Sequence, residues 1–144
     1  MDDAPQHLEV RVGDDPIDQA ALITRVARDD SGATVLFLGT VRDHSGDKQG
    51  VTHLDYEVYP ELVESKILEI VEEATTKWPI LDAIVQHRYG RVLLGEASVA
   101  VVVSTAHRAD AFAAAEFIID ELKERAPIWK KEHWPGGSEW SQGS

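Results

Sequence analysis

Apolar and polar positions along this chain follow two rhythms, and the switches between them mark its elements. Leu8 to Val12 alternates apolar with charged residues and reads as an edge strand. Asp15 and Pro16 have the form of a helix start, a capping carboxylate before a proline at the first helical position. Ile17, Ala21, Leu22 and Val26 then recur at helical spacing, which predicts a helix to about Arg28. Asp29-Asp30-Ser31-Gly32 is a turn. Ala33 to Val41 is an almost unbroken apolar run, expected as a strand buried on both faces. Asp43 to Gly50 is polar and carries glycine, so a mobile loop is expected. Thr52, Leu54, Tyr56 and Val58 alternate with His53, Asp55 and Glu57, the pattern of a strand with one wet face.

Pro60 opens a long helix with Glu61 and Glu64 near its start, where the helix dipole favours acids. Val63, Ile67, Ile70, Val71 and Ala74 form its apolar stripe. Ile80 to Arg88 reads as a strand, Tyr89 to Gly95 as a link, and Ala97 to Ser104 as another buried strand. A third helix is predicted from about Arg108 to Arg125, with Phe112, Ala115, Ile118, Ile119 and Leu122 facing the core, and Pro127 stops it. Ile128 to Trp134 is short and mixed, Pro135-Gly136-Gly137 is a turn, and Glu139-Trp140 starts a last short strand. Strands that follow one another without a helix between them imply an α+β fold with a mostly antiparallel or mixed sheet. No repeat and no linker divides the 144 residues, so one domain is expected.

Composition narrows the function. Lys and Arg number 14 against 26 Asp and Glu, a net charge of −12. Nucleic acid and anionic membranes require a basic surface, so they are set aside as partners. A small anion needs only a local cluster of positive groups. Cysteine is absent, which excludes disulfides, thiolate metal sites and a cysteine nucleophile. Met1 to His7 lacks the apolar and basic character of a leader peptide, and no apolar run approaches the roughly 20 residues of a membrane span, so a cytoplasmic protein is expected.

Three segments could carry chemistry. Leu122 to Glu132 (LKERAPIWKKE) holds four of the 14 basic residues. Lys123 and Lys130 would share a face on an unbroken helix, and Pro127 between them lets the second fold back toward the first. Apolar neighbours lower the pKa of such a lysine and fit it for proton transfer. The plainer alternative is a lysine favoured by a helix C-terminus, paired with Asp120. Ser104 to Arg108 (STAHR) joins a buried strand to a helix N-terminus, where free backbone N–H groups attract anions. His107 could donate a hydrogen bond and Arg108 could clamp a phosphate, or both could be ordinary surface groups. Gly39-Thr40-Val41-Arg42 places a glycine in a buried strand, a sign of close backbone approach, with Arg42 at the strand end beside Asp43. The six histidines show no zinc spacing, and no metal site is expected. Phosphate-loop, dinucleotide and nucleophile-elbow motifs are missing.

Taken together, GTVRDHS at Gly39 to Ser45, HRYG at His87 to Gly90, STAHR and LKERAPIWKKE, with Tyr59-Pro60, resemble the large, catalytic subunit family of molybdopterin synthase (MoaE). The resemblance runs in order from about Leu8 to Trp140. It departs at Glu139, where the family has a basic residue, and residues 141–144 are expected as a disordered tail. It implies an α/β-hammerhead fold with an extra small antiparallel β-subdomain. It also implies a homodimer, completed to a heterotetramer by two small ubiquitin-like carriers ending in a Gly-Gly thiocarboxylate. The implied reaction transfers the carrier's sulfur to cyclic pyranopterin monophosphate, building the dithiolene of molybdopterin. Matched positions assign catalysis to Lys123 and Lys130. Substrate binding falls to Thr40, Val41, Arg42, His107, Arg108, Lys131 and Glu132 as well as the two lysines. No metal or cofactor is implied, because the sulfur arrives on the partner, as a chain without cysteine requires. The alternative is a non-catalytic module that docks a ubiquitin-like partner.

Overall fold

A computed structural model describes residues 5–46 and 48–142. Ten strands and three helices follow in the order β1 (His7–Gly13), α1 (Gln19–Val26), β2 (Ala33–Thr40), β3 (His44–Ser45), β4 (Lys48–Gln49), β5 (His53–Val58), α2 (Pro60–Lys77), β6 (Ile80–Arg88), β7 (Gly90–Leu93), β8 (Ala97–Thr105), α3 (Arg108–Arg125), β9 (Ile128–Trp134) and β10 (Gly137–Gln142). The main sheet has the order β1-β6-β8-β2 and is antiparallel except for the β1–β6 pair. A second sheet, β10-β9-β5-β7, is antiparallel throughout. The fold is α+β, with a small antiparallel subdomain beside the main sheet.

The core follows from the period of two. On β6 and β8, Ala83, Val85, Val99, Val101 and Val103 face one way, toward the buried stripes of α2 and α3. Ile84, Ala100 and Val102 face the other way, toward Leu22 and Val26 of α1. Helices therefore cover both faces of the central strands, and both faces are apolar. All five stripe positions expected on α2 are buried.

Several expectations need correction. Helix α1 begins at Gln19, because the Asp18 carboxylate, not Asp15, accepts the Ala21 N–H at 3.1 Å. That start still lets Leu22 and Val26 reach the sheet, while Ile17 packs on the same cluster from outside the helix. The helix ends at Val26, which frees Arg28 to reach Asp30 and the buried Asp82. Strand β2 lies at the sheet edge and is mostly half-buried, because no further strand among the described residues covers it. Phe112 is 61% exposed, and Ala111 takes the core position beside it. Residues expected as a loop form the β3–β4 hairpin, with Gly46 at φ 61°. Gly90 to Leu93, expected as a link, is strand β7, paired with β5. Ser141 and Gln142, expected in a tail, lie in β10 opposite Lys130 and Trp129; residues 143–144 lie outside the described residues. No helix among the described residues is long and apolar enough to cross a membrane.

Candidate active site

Four stretches of chain meet where the two sheets join. The first is the end of β2. Its pairing with β8 shifts register between Gly39 and Thr40, an irregularity of the kind that bends a strand. A Cβ on Gly39 would lie 2.7 Å from Val99 Cγ1, so only glycine lets the strands approach this closely. Past the bend, Val41 is buried and Arg42 is exposed. The second stretch is β5, whose residues Leu54 and Tyr56 are buried. The third is the last turn of α3 with Lys123, and the fourth is β9 with Lys130 and Glu132.

Strand register sets the last two residues. Tyr56 stands opposite Lys130 and Leu54 opposite Glu132, so all four share one face of the small sheet. Pro127, between α3 and β9, reverses the chain so that Lys130 returns beside Lys123. With Ser98 and Val99 of β8 and with His44 and Val51, these stretches enclose a cavity of about 210 Å³, lined by Gly39, Thr40, Val41, Arg42, His44, Val51, Leu54, Tyr56, Ser98, Val99, Lys123, Lys130 and Glu132.

The electrostatics are those of an anion pocket. Arg42, Lys123 and Lys130 form no ion pair with another described side chain, and Glu132 is the one carboxylate among the residues lining their cavity. Glu132 is only 6% exposed. Burial holds Lys130 below the usual lysine pKa. Lys123 and Arg42 push in the same direction, and Glu132 opposes them. Tyr56 is held above the usual phenol value, chiefly by burial and slightly by Glu132, against a hydrogen bond with Ser98. The cavity thus offers a lysine that can give up its proton, beside fixed positive charge.

Of the residues expected from sequence, Thr40, Val41, Arg42, Lys123, Lys130 and Glu132 line this cavity. Lys131 alternates to the opposite face of β9, where its Nζ lies 5.5 Å from the Trp140 ring centre. His107 caps the N-terminus of α3 without a side-chain cap bond, and both His107 and Arg108 are exposed. They follow Thr105, which pairs with Ala33, whereas the cavity lies at the Thr40–Ala97 end of the same strands. Seven strand residues at about 3.3 Å each separate the two ends by roughly 23 Å. Glu139, where a basic residue was expected, forms an ion pair with Lys48.

Comparison with known proteins identifies the family. The MoaE family model, described as MoaE protein, matches residues 12–125. The chain belongs to the MoaE family. A relative from Thermoplasma volcanium, named molybdopterin synthase catalytic subunit, is 48% identical over 129 residues, 90% of this chain and 93% of that one. The crystal structure of molybdopterin synthase from Staphylococcus aureus superposes with a TM-score of 0.85 at 34% identity, covering 91% of this chain and 95% of that one. A chain from the complex of subunits 1 and 2 of the Helicobacter pylori molybdopterin-converting factor, 23% identical with a TM-score of 0.72, shares the fold over 93% of this chain and 89% of that one. Membership makes this MoaE chain an enzyme of the molybdopterin synthase type.

Sequence reasoning did not mark Tyr56, Ser98 or His44 as part of the MoaE pocket. Tyr56 was legible as the inward member of an alternating strand. Ser98 was hidden in a buried run, and His44 in a stretch taken for a loop.

Proposed function

We propose that this cavity receives the C-terminal thiocarboxylate of a small ubiquitin-like carrier together with cyclic pyranopterin monophosphate, and that sulfur passes from the first to the second. The supporting observation is the depressed pKa of Lys130 in a cavity shared with Arg42 and Lys123. Both reactants are anionic, and the acidic chain concentrates unpaired cations here. Lys123 contacts the carrier's tail and acts as the principal acid and base. Lys130 relays a proton and holds the pterin, and Arg42 neutralises phosphate. A pterin carbon bonds the carrier's sulfur as an oxygen substituent leaves it, and water then cleaves the acyl–sulfur bond, so the carrier ends as a carboxylate and no cysteine on this chain has to hold the sulfur.

His107 and Arg108 belong to the same proposal through a homodimer. At roughly 23 Å along the strands they cannot reach a phosphate in their own chain's cavity, so they would serve the cavity of a second copy. The open edge of β2, with exposed Phe112 beside Val35 and Phe37, supports such a dimer. Two carriers complete the heterotetramer; the Helicobacter pylori fold relative was itself solved as a protein–protein complex of subunits 1 and 2.

The test is reconstitution with thiocarboxylated carrier and the pterin precursor, reading dithiolene product. Lys123→Ala should abolish product while carrier binding persists. Unchanged product would instead favour a docking module without catalysis. Arg108→Ala should weaken pterin binding by roughly 1.5–3 kcal/mol, the value of a charge-assisted hydrogen bond, and calorimetry showing no change would remove Arg108 from the site. Mixing Lys123→Ala with Arg108→Ala chains should regenerate activity if each cavity draws on two chains.

A further inference from the structure

The small sheet has a second face. Leu54, Tyr56, Lys130 and Glu132 point into the cavity, so the residues between them point away from it. There His53 and His133 stand opposite each other on β5 and β9, their rings stacked with centroids 4.2 Å apart and planes 15° apart. Asp55, two residues along β5, reaches the same point. Its Oδ2 is 2.7 Å from His133 Nε2 and 3.8 Å from His53 Nε2. One ligand atom from each residue falls within 4.8 Å of the others. Both Nε2 atoms are buried, and despite the close approach of Asp55 to His133 neither makes a well-angled hydrogen bond among the described residues.

We propose that His53, Asp55 and His133 bind a divalent transition-metal ion of the Zn²⁺ class, on the back of the strand pair that carries Lys130 and Glu132. Two imidazoles and a carboxylate are ligands that such ions prefer over Mg²⁺ or Ca²⁺. Ligand bonds of about 2.0–2.1 Å in tetrahedral geometry place donor atoms about 3.3 Å apart. The separations here bracket that value, and small ring rotations close the difference.

The surroundings fit. His53 Nδ1 lies 2.9 Å from Thr52 Oγ1, and that hydroxyl in turn faces the His133 carbonyl at 3.5 Å. A proton on Nδ1 donated to Thr52, with the hydroxyl donating onward, leaves His53 Nε2 as a bare lone pair. Such an outer hydrogen bond fixes the tautomer of a metal-bound histidine. Arg91, whose Nε is 3.5 Å from Asp55 Oδ1, competes for the carboxylate, but it is mostly exposed and can swing away. Ligands on adjacent strands would make the ion a staple across the β5–β9 pairing, which holds the lysine strand in register. Chemistry at the cavity does not require this ion, so its presence or absence leaves the sulfur-transfer proposal intact.

The experiment is a zinc titration of untagged, metal-stripped full-length protein against a chromophoric chelator, followed by Co²⁺ absorption spectroscopy. The expected result is one equivalent bound, with affinity falling at least about tenfold in each of His53→Asn, His133→Asn and Asp55→Asn, and unchanged in His7→Asn. Zinc at about 100 times its dissociation constant should raise the melting temperature of the unmutated protein by about 5–10 °C and slow amide exchange in β5 and β9. That measurement stands even if a variant folds poorly. Absence of saturable zinc binding to the unmutated protein, or zinc binding that survives all three substitutions, would overturn the proposal.

Discussion

His87 gives this protein an acid-sensitive core. Its side chain is fully buried at the end of β6, edge-on to Tyr56 at 5.2 Å between ring centres. Nδ1 lies 2.7 Å from the Arg88 carbonyl oxygen, which can only accept, so Nδ1 carries the proton of the neutral ring. Nε2 is buried with no hydrogen-bond partner among the described residues. Charging the ring would bury a second N–H with no acceptor and remove a cation from water. Burial accordingly holds the pKa at about 4 against a usual 6.5, and the hydrogen bond to Arg88 offsets part of it. The folded value is the lower one, so between pH 6.5 and about 4 the unfolded chain binds more protons. The stability associated with neutral His87 is present in full above pH 6.5. It falls as pH drops toward 4, and it is level below that. A difference of 2.5 (6.5 − 4) pKa units at about 1.4 kcal/mol each gives a loss of about 3–4 kcal/mol. Urea unfolding at a series of pH values should show it as a fall in midpoint of roughly 1–2 M. His87→Phe retains the ring edge against Tyr56 and should flatten the curve across that window, whatever its stability at neutral pH. An equal slope in both proteins, or a His87 ring that titrates near 6.5 by NMR, would refute the reasoning.

Three more outcomes can be checked. Gly39→Ala drives a methyl to 2.7 Å from Val99 Cγ1 and should destabilise the protein by about 1–3 kcal/mol, with relief in the Gly39→Ala, Val99→Ala double variant. Glu132→Gln removes the group that raises the Lys130 pKa, so a limb of the pH–rate profile due to Lys130 should move to lower pH; an unmoved limb would assign it elsewhere. Glu9 is held at about 2, first by its hydrogen bond from Arg25 and also by His7 and Arg11. Its contribution is therefore present above pH 4.5 and lost as pH falls toward 2, below the His87 window. Arg25→Gln should shrink that lower transition, worth about 1 kcal/mol for so open a pair, and leave the part due to His7 and Arg11.

The sequence was legible wherever burial alone decides the pattern. The stripe of α2 reads directly, as does the apolar run of β8, because both faces of that strand meet helices. Strand β9 did not read as a strand, and the cause is functional. Its inward positions after Ile128 are Lys130 and Glu132, so the face that meets the cavity is charged and the alternation of apolar with polar disappears. The cavity lysines were found by the proline between them. His107 and Arg108 were grouped with those lysines although the strands hold them far apart, since motif order carries no information about which end of a strand a loop occupies. The His53–Asp55–His133 cluster was invisible to linear spacing because 80 residues (133 − 53) separate its histidines and only cross-strand register joins them.

That register restricts how the gene can change. Removing or adding one residue between Pro127 and Lys130 would rotate β9 by half a period. Trp129 and Lys131 would then turn inward, and the lysine and glutamate would turn toward solvent. Substitutions along this stretch can be absorbed one at a time, but a change in its length cannot. Among relatives that keep the activity, insertions and deletions should collect in the β3–β4 hairpin and around Gly95, and the interval from Lys123 to Glu132 should keep its length.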